Sequence, residues 1–249
     1  ENTTEIGAAN KFFATALRLS DRSSPDRIDE TKPEALLDYV EVLLKLRNYG
    51  AALNVVDYFE SEYWSNERSQ TLRIKAYIAA RQFEEAEEAL AKKQSDDPNT
   101  IKLNLALVQS KIRQVQRAVA QKQAQEGLGV IFRKAPGVEK EGVESQAAEL
   151  KSYRDTLAEL VRKLLPIEPN SIEEAPVVAV CNNYVVEGKV SEAKELVDRF
   201  LEYFPANVTA MFYKQILSEP EPNKVSQQRR KEIEEQVLLG IDNPIERSL

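Results

Sequence analysis

The chain has 249 residues, with 34 Lys and Arg against 41 Asp and Glu for a formal charge of −7. That length suits one large domain or two ordinary ones, the 42% apolar share is enough for a core, and the net acidity argues against nucleic acid as a partner. His is absent and Cys occurs once, which removes Ser-His-Asp and Cys-His nucleophiles, His metal sites, an intrachain disulfide and Cys-rich zinc sites.

With 8 Gly and 11 Pro the chain favours long helices over many short strands. No apolar run reaches the roughly 18 residues that a membrane-crossing helix needs. Residue 1 is Glu, so the chain is expected to be processed or cut, and a missing leader says nothing of compartment.

Taken in order, residues 8–17 (AANKFFATAL) pattern as a helix with Ala9, Phe13 and Ala16 on one face. It looks like the second helix of a hairpin without its first. The expectation is a fragment of a longer repeat protein, or else a simple capping helix. Residues 21–32 (DRSSPDRIDETK) form a polar linker. Residues 33–66 then carry Leu36, Tyr39, Val40 and Leu43 on one helix and Tyr49, Ala52, Val56 and Phe59 on the next. Residues 67–100 repeat the plan with Ile74 and Tyr77, then Phe83, Ala86 and Leu90, and close at Pro98.

Residues 101–173 are less regular. Ile101, Leu105, Val108, Ile112, Val115 and Val119 make one stripe that no Gly or Pro interrupts before Gly127. Either two helices fuse there or their turn is tight and unmarked. A loop is expected through Gly127, Gly129, Pro136 and Gly137. A helix over about 143–165 follows, with Leu150, Tyr153, Leu157, Leu160 and Leu164.

Residues 174–207 form the best-marked unit: Val177, Val180, Cys181 and Tyr184, a turn at Gly188, then Ala193, Val197 and Phe200. A further helix spans about 208–217, residues 218–223 (SEPEPN) break it, and 225–239 form an amphipathic helix with Ile233, Val237 and Leu238. Asn243-Pro244 looks like the approach to another unit.

These units are similar to one another. Ala52 and Ala86 lie 34 residues apart, and Ala193 follows after 107, close to three periods plus a small insertion. Pro98 and Pro205 each fall twelve residues after the Ala, and Asp97-Pro98-Asn99, Glu168-Pro169-Asn170 and Pro205-Ala206-Asn207 read as helix-to-helix corners, with Asn as the expected cap. On these residues the chain resembles the tetratricopeptide repeat (TPR) family, although that family's usual first-helix Trp is missing and Trp64 sits at an exit corner instead.

The resemblance implies an all-α solenoid of about five TPR-like hairpins over 33–207, with extra terminal helices over 1–32 and 208–249. It also implies a groove lined by the first helix of each hairpin. Carried onto this chain, that row includes Glu34, Leu37 and Glu41, then Arg68, Thr71, Lys75 and Ile78, then Lys102, Leu105, Gln109, Ile112 and Arg113, and later Val178, Asn182 and Val186. The basic members Arg68, Lys75, Lys102 and Arg113 would suit an acidic segment or a terminal carboxylate, with Gln109 beside them, and Asn182 would read a partner's backbone. Leu37 and Glu41 stand where the family's chaperone-tail clamp has Lys and Asn, which argues against that ligand.

Other chemistry is weaker. Cys181 falls at a small-residue packing slot, where a thiol without a base is inert. The pairs Glu84-Glu85, Glu87-Glu88 and Glu173-Glu174 read as solvated helix faces. Gly127-Leu128-Gly129 lacks the rest of a phosphate loop, and Asn2 and Asn207 head chance-frequency glycosylation triplets. The expectation is a non-catalytic scaffold or adaptor that binds a protein or peptide, with no cofactor and no metal. A helical enzyme or sugar-processing subunit using surface carboxylates is the alternative, and a spacer or dimerisation arm a third.

Overall fold

The computed structural model describes residues 33–93, 96–129 and 140–242, and within them every regular element is helical. The expectations for residues 1–32, for Pro136 and Gly137, and for Asn243-Pro244 lie outside the described residues.

The order is α1 (Glu34–Lys45), α2 (Tyr49–Glu62), α3 (Glu67–Ala80), α4 (Phe83–Ala91), α5 (Pro98–Gly129), α6 (Lys140–Leu164), α7 (Glu174–Val186), α8 (Val190–Tyr203), α9 (Val208–Ser218) and α10 (Gln227–Asp242). Short 3₁₀ turns at Pro169–Ser171 and Pro222–Lys224 precede α7 and α10.

The caps explain the starts. Asn48 accepts the Ala51 amide at 3.4 Å to open α2. Asn66 and Ser69 form a reciprocal capping box on α3, with Ser69 N to Asn66 Oδ1 at 2.7 Å and Asn66 N to Ser69 Oγ at 3.1 Å. Asn207 accepts the Ala210 amide at 2.8 Å and opens α9, as the sequence leads one to expect. The other two corners differ. At α5 the cap is Asp97, which takes the Thr100 amide at 2.9 Å, because Pro98 has the fixed φ of a first helical residue and pushes Asn99 inside. Asn170 lies within the 3₁₀ turn and caps no α-helix.

Three of the stops, those of α1, α3 and α7, share one geometry. Arg47, Arg81 and Gly188 have φ of +60°, +62° and +76°. In each case the next amide reaches back six residues inclusive: Asn48 N to Leu43 O at 2.9 Å, Gln82 N to Tyr77 O at 2.9 Å, and Lys189 N to Tyr184 O at 2.7 Å. This is the Schellman closure of a helix end. Five residues after each left-handed residue stands Ala52, Ala86 or Ala193, and all three are fully buried. Only a methyl fits where the second helix presses on the first. The 34-residue interval between Ala52 and Ala86 is therefore also the interval between two turns of equal shape.

The middle segment resolves the open alternative in favour of fusion. One helix of 32 residues runs from Pro98 through Gly129, so Gly127 and Gly129 belong to it and not to a loop.

Two compact units divide the chain at Ser110 and Lys111, inside α5. In the first, α1 packs on α2 and α3, α2 on α3, and α3 on α4. One core cluster joins Leu36, Val40 and Leu43 to Ala52, Val56 and Phe59, and a second joins Ile74, Ala86 and Leu90 to Leu103 and Leu107. In the second, α6 packs on α7, α7 on α8 and α9, α8 on α9, and α9 on α10, where Ile216 meets Ile233 and Val237.

Candidate functional site

In the first unit the helices that open each helix pair, here called A helices, are α1, α3 and the start of α5. Along α1, Glu34, Asp38 and Glu41 recur at helical spacing and form an exposed acidic stripe. Arg68, in the first turn of α3, reaches all three: 3.4 Å to Glu34, 2.6 Å to Asp38 and 2.8 Å to Glu41. Its guanidinium pKa is raised, first by the hydrogen bonds to Glu41 and Asp38. Arg68 is thus held by its own chain, and its surroundings carry more acid than base. Sequence reasoning placed Glu34, Glu41 and Arg68 on one row but missed Asp38 and the closure between them. The signal was present as three acids at i, i+4 and i+7, with an Arg 34 residues after the first.

Seven residues along α3, two helical turns, Lys75 is exposed. Lys102 and Gln109 on α5 are half-buried, and Lys102 has a partner of its own. Arg113 is exposed and belongs to the second unit. The four bases are therefore not equivalent: one is spent on carboxylates and one is engaged, while Lys75 faces solvent within the first unit. Four apolar members of the implied row, Leu37, Ile78, Leu105 and Ile112, are buried and serve packing instead of lining a groove.

In the second unit Asn182 is exposed on α7, and its amide donates to the Tyr213 hydroxyl on α9 at 2.9 Å. Neighbouring Asn183 is buried and donates to Glu187 at 3.3 Å, a structural use. Glu187 also pairs with Lys189 at 2.6 Å, and that hydrogen bond holds its carboxyl below the usual range. Asn207 links A helices as well, donating to Glu174 at 3.0 Å, just as Asn99 donates to Glu67 at 3.4 Å in the first unit. With its amide used both as cap and as donor, Asn207 is a committed structural residue.

Cys181 is buried, with Sγ 3.9 Å from the Ala193 carbonyl oxygen, and burial pushes its thiol up to about 12. At neutral pH that leaves almost no thiolate for chemistry. The acidic pairs on α4 and at the start of α7 are exposed, and Glu88 pairs with Lys92 at 3.1 Å. Among the described residues no group of three His, Cys, Asp or Glu is placed to hold a metal ion, and no helix is long and apolar enough to cross a membrane. No protein-family model, curated protein or solved structure matches the chain.

Proposed function

We propose that the chain is a non-catalytic scaffold built as a solenoid of TPR-like hairpins, binding an extended segment of a partner protein along its A helices. The observation that carries this is the recurrence of a left-handed turn with a buried Ala five residues on, together with a polar link 32 to 34 residues long in sequence from one A helix to the next. Hairpins joined this way stack side by side and present one A-helix row to solvent. Within the first unit the row runs from acid on α1 to base at Lys75, so an incoming segment would be read by polarity as well as by sign. An acidic residue in the partner pairs best with Lys75, since Arg68 already satisfies three carboxylates.

A photo-crosslinking residue at Thr71, between Arg68 and Lys75, tests this. It should capture a discrete partner from the native source, whereas the same residue at exposed Lys194 on α8 should not. Lys75→Glu should abolish the Thr71 product while leaving the melting temperature unchanged. Equal capture from both positions, or capture indifferent to Lys75→Glu, refutes the A-helix row as the binding face.

A further inference from the structure

A second surface lies on the other side of the first unit, where α2 and α4 flank α3. The cleft between them has a volume of about 460 Å³. Its floor is apolar: Ile74 is buried there, and Tyr77 and Ala89 are partly exposed above it. Its walls are acidic. Glu60 stands on α2, and Glu85 and Glu88 stand on α4.

Two cations also line the cleft, and both are spoken for. Arg73 is bound by Asp57 at 2.6 Å and by Glu60 at 2.7 Å. Lys92 is bound by Glu88 at 3.1 Å. Three carboxylates of the cleft, with Asp57 just outside it, thus face two bases, and Glu85 is exposed with no ion pair among the described residues. Glu84 continues the acidity along α4 outside the cleft.

We propose that this cleft docks a basic amphipathic helix of a partner protein, its apolar side chains over Tyr77 and Ala89 and its Lys or Arg side chains against Glu85 and Glu88. The shape fits the occupant. The nine residues of α4 rise about 13 Å at ~1.5 Å each, the length of two to three turns of a helix laid alongside. Apolar anchors spaced at i and i+4 meet the floor, and the charges between them meet the walls. This surface uses none of the residues of the A-helix row, so either site can fail without the other.

The test uses the full chain and a synthetic twelve-residue peptide with Leu at i, i+4 and i+8 and Lys at the remaining positions, titrated by calorimetry. Saturable one-to-one binding is expected. Glu85→Lys with Glu88→Lys should weaken it at least tenfold. Glu84→Lys with Glu202→Lys makes the same change in net charge away from the cleft and should weaken it less than twofold. A peptide with its Leu replaced by Ser should lose binding to the unaltered chain. Circular dichroism melts verify that both double variants fold. If the two double variants weaken binding equally, or the Ser peptide binds as well as the Leu peptide, the attraction is only that of a net-acidic surface and the docking site is refuted.

Discussion

The two units solve one problem with different chemistry. In the first, α1 is fastened to α3 by a guanidinium shared among Glu34, Asp38 and Glu41. In the second, α7 is fastened to α9 by neutral groups, the Asn182 amide on the Tyr213 hydroxyl, and by Asn207 on Glu174. Beneath both links lies the same apolar joint, a fully buried Ala at the crossing of a hairpin's helices. The hairpin geometry therefore does not depend on which polar link decorates it. The link sets how the surface responds to salt and to partners, and the Ala sets whether the hairpin closes.

The largest effects should accordingly fall at the Ala joints and be equal in the two units. Ala86→Leu and Ala193→Leu each force three extra carbons into a closed contact and should cost about 1–3 kcal/mol, read as a drop in the denaturation midpoint. If one costs much less than the other, the two hairpins are packed differently despite their matching turns. Cys181 reports the same joint directly, since its thiol lies against the Ala193 carbonyl. A thiol pushed up to about 12 should label slowly at pH 8 in the native state and rapidly in denaturant, and Ala193→Leu should speed native labelling by loosening the cover. Native labelling as fast as that of the denatured chain would place the thiol in solvent.

How much of this was legible in the sequence follows from the same division. Ala52, Ala86 and Ala193 stood out because packing demands one residue size at a fixed interval, and intervals are visible in one dimension. The fused helix over residues 98–129 is ambiguous in sequence, because two helices without a Gly or Pro between them read the same as one. Turns between the paired helices were expected near residues 47 and 81, but nothing marks Arg47 and Arg81 as the left-handed residues, whereas Gly188 announced itself. On the candidate face, Arg68, Lys75 and Lys102 looked alike because charge is visible in sequence and its neutralisation is not. That Arg68 answers three carboxylates on another helix needs the third dimension.

The turns allow the next comparison. Gly188 sits at φ +76° with nothing within 4 Å of where a Cβ would be, so Gly188→Ala strains the backbone without a clash. It should cost about 1 kcal/mol. Arg81→Gly removes that strain from the equivalent turn of the first unit and should gain about 0.5 kcal/mol after the added chain entropy of Gly is counted. Chemical denaturation of the two variants decides it. Changes of the same sign would mean that the two turns are not equivalent.

The smallest effects separate the polar links themselves. Arg68 and its three partners are about half exposed, with side-chain exposures of 39% for Arg68 and 49–54% for the carboxylates. Exposed pairs of this kind contribute about 0.2–1 kcal/mol. Arg68→Ala should therefore cost about 0.5–1 kcal/mol at low salt, part of it from the mutual repulsion of Glu34, Asp38 and Glu41 once the guanidinium is gone. In 1 M NaCl, where screening reaches within about 3 Å, most of that loss should vanish. Tyr213→Phe removes the neutral hydrogen bonding between the Tyr213 hydroxyl and the Asn182 amide and should cost a similar amount, about 0.5–1 kcal/mol. That loss should be the same at both salt concentrations, because no charge is involved. Measuring both variants in dilute buffer and in 1 M NaCl thus gives four numbers, and the ionic and neutral links predict different patterns. If the Arg68→Ala loss persists in high salt, the guanidinium acts by packing its aliphatic stem between α1 and α3, and the two units are fastened by the same physics after all.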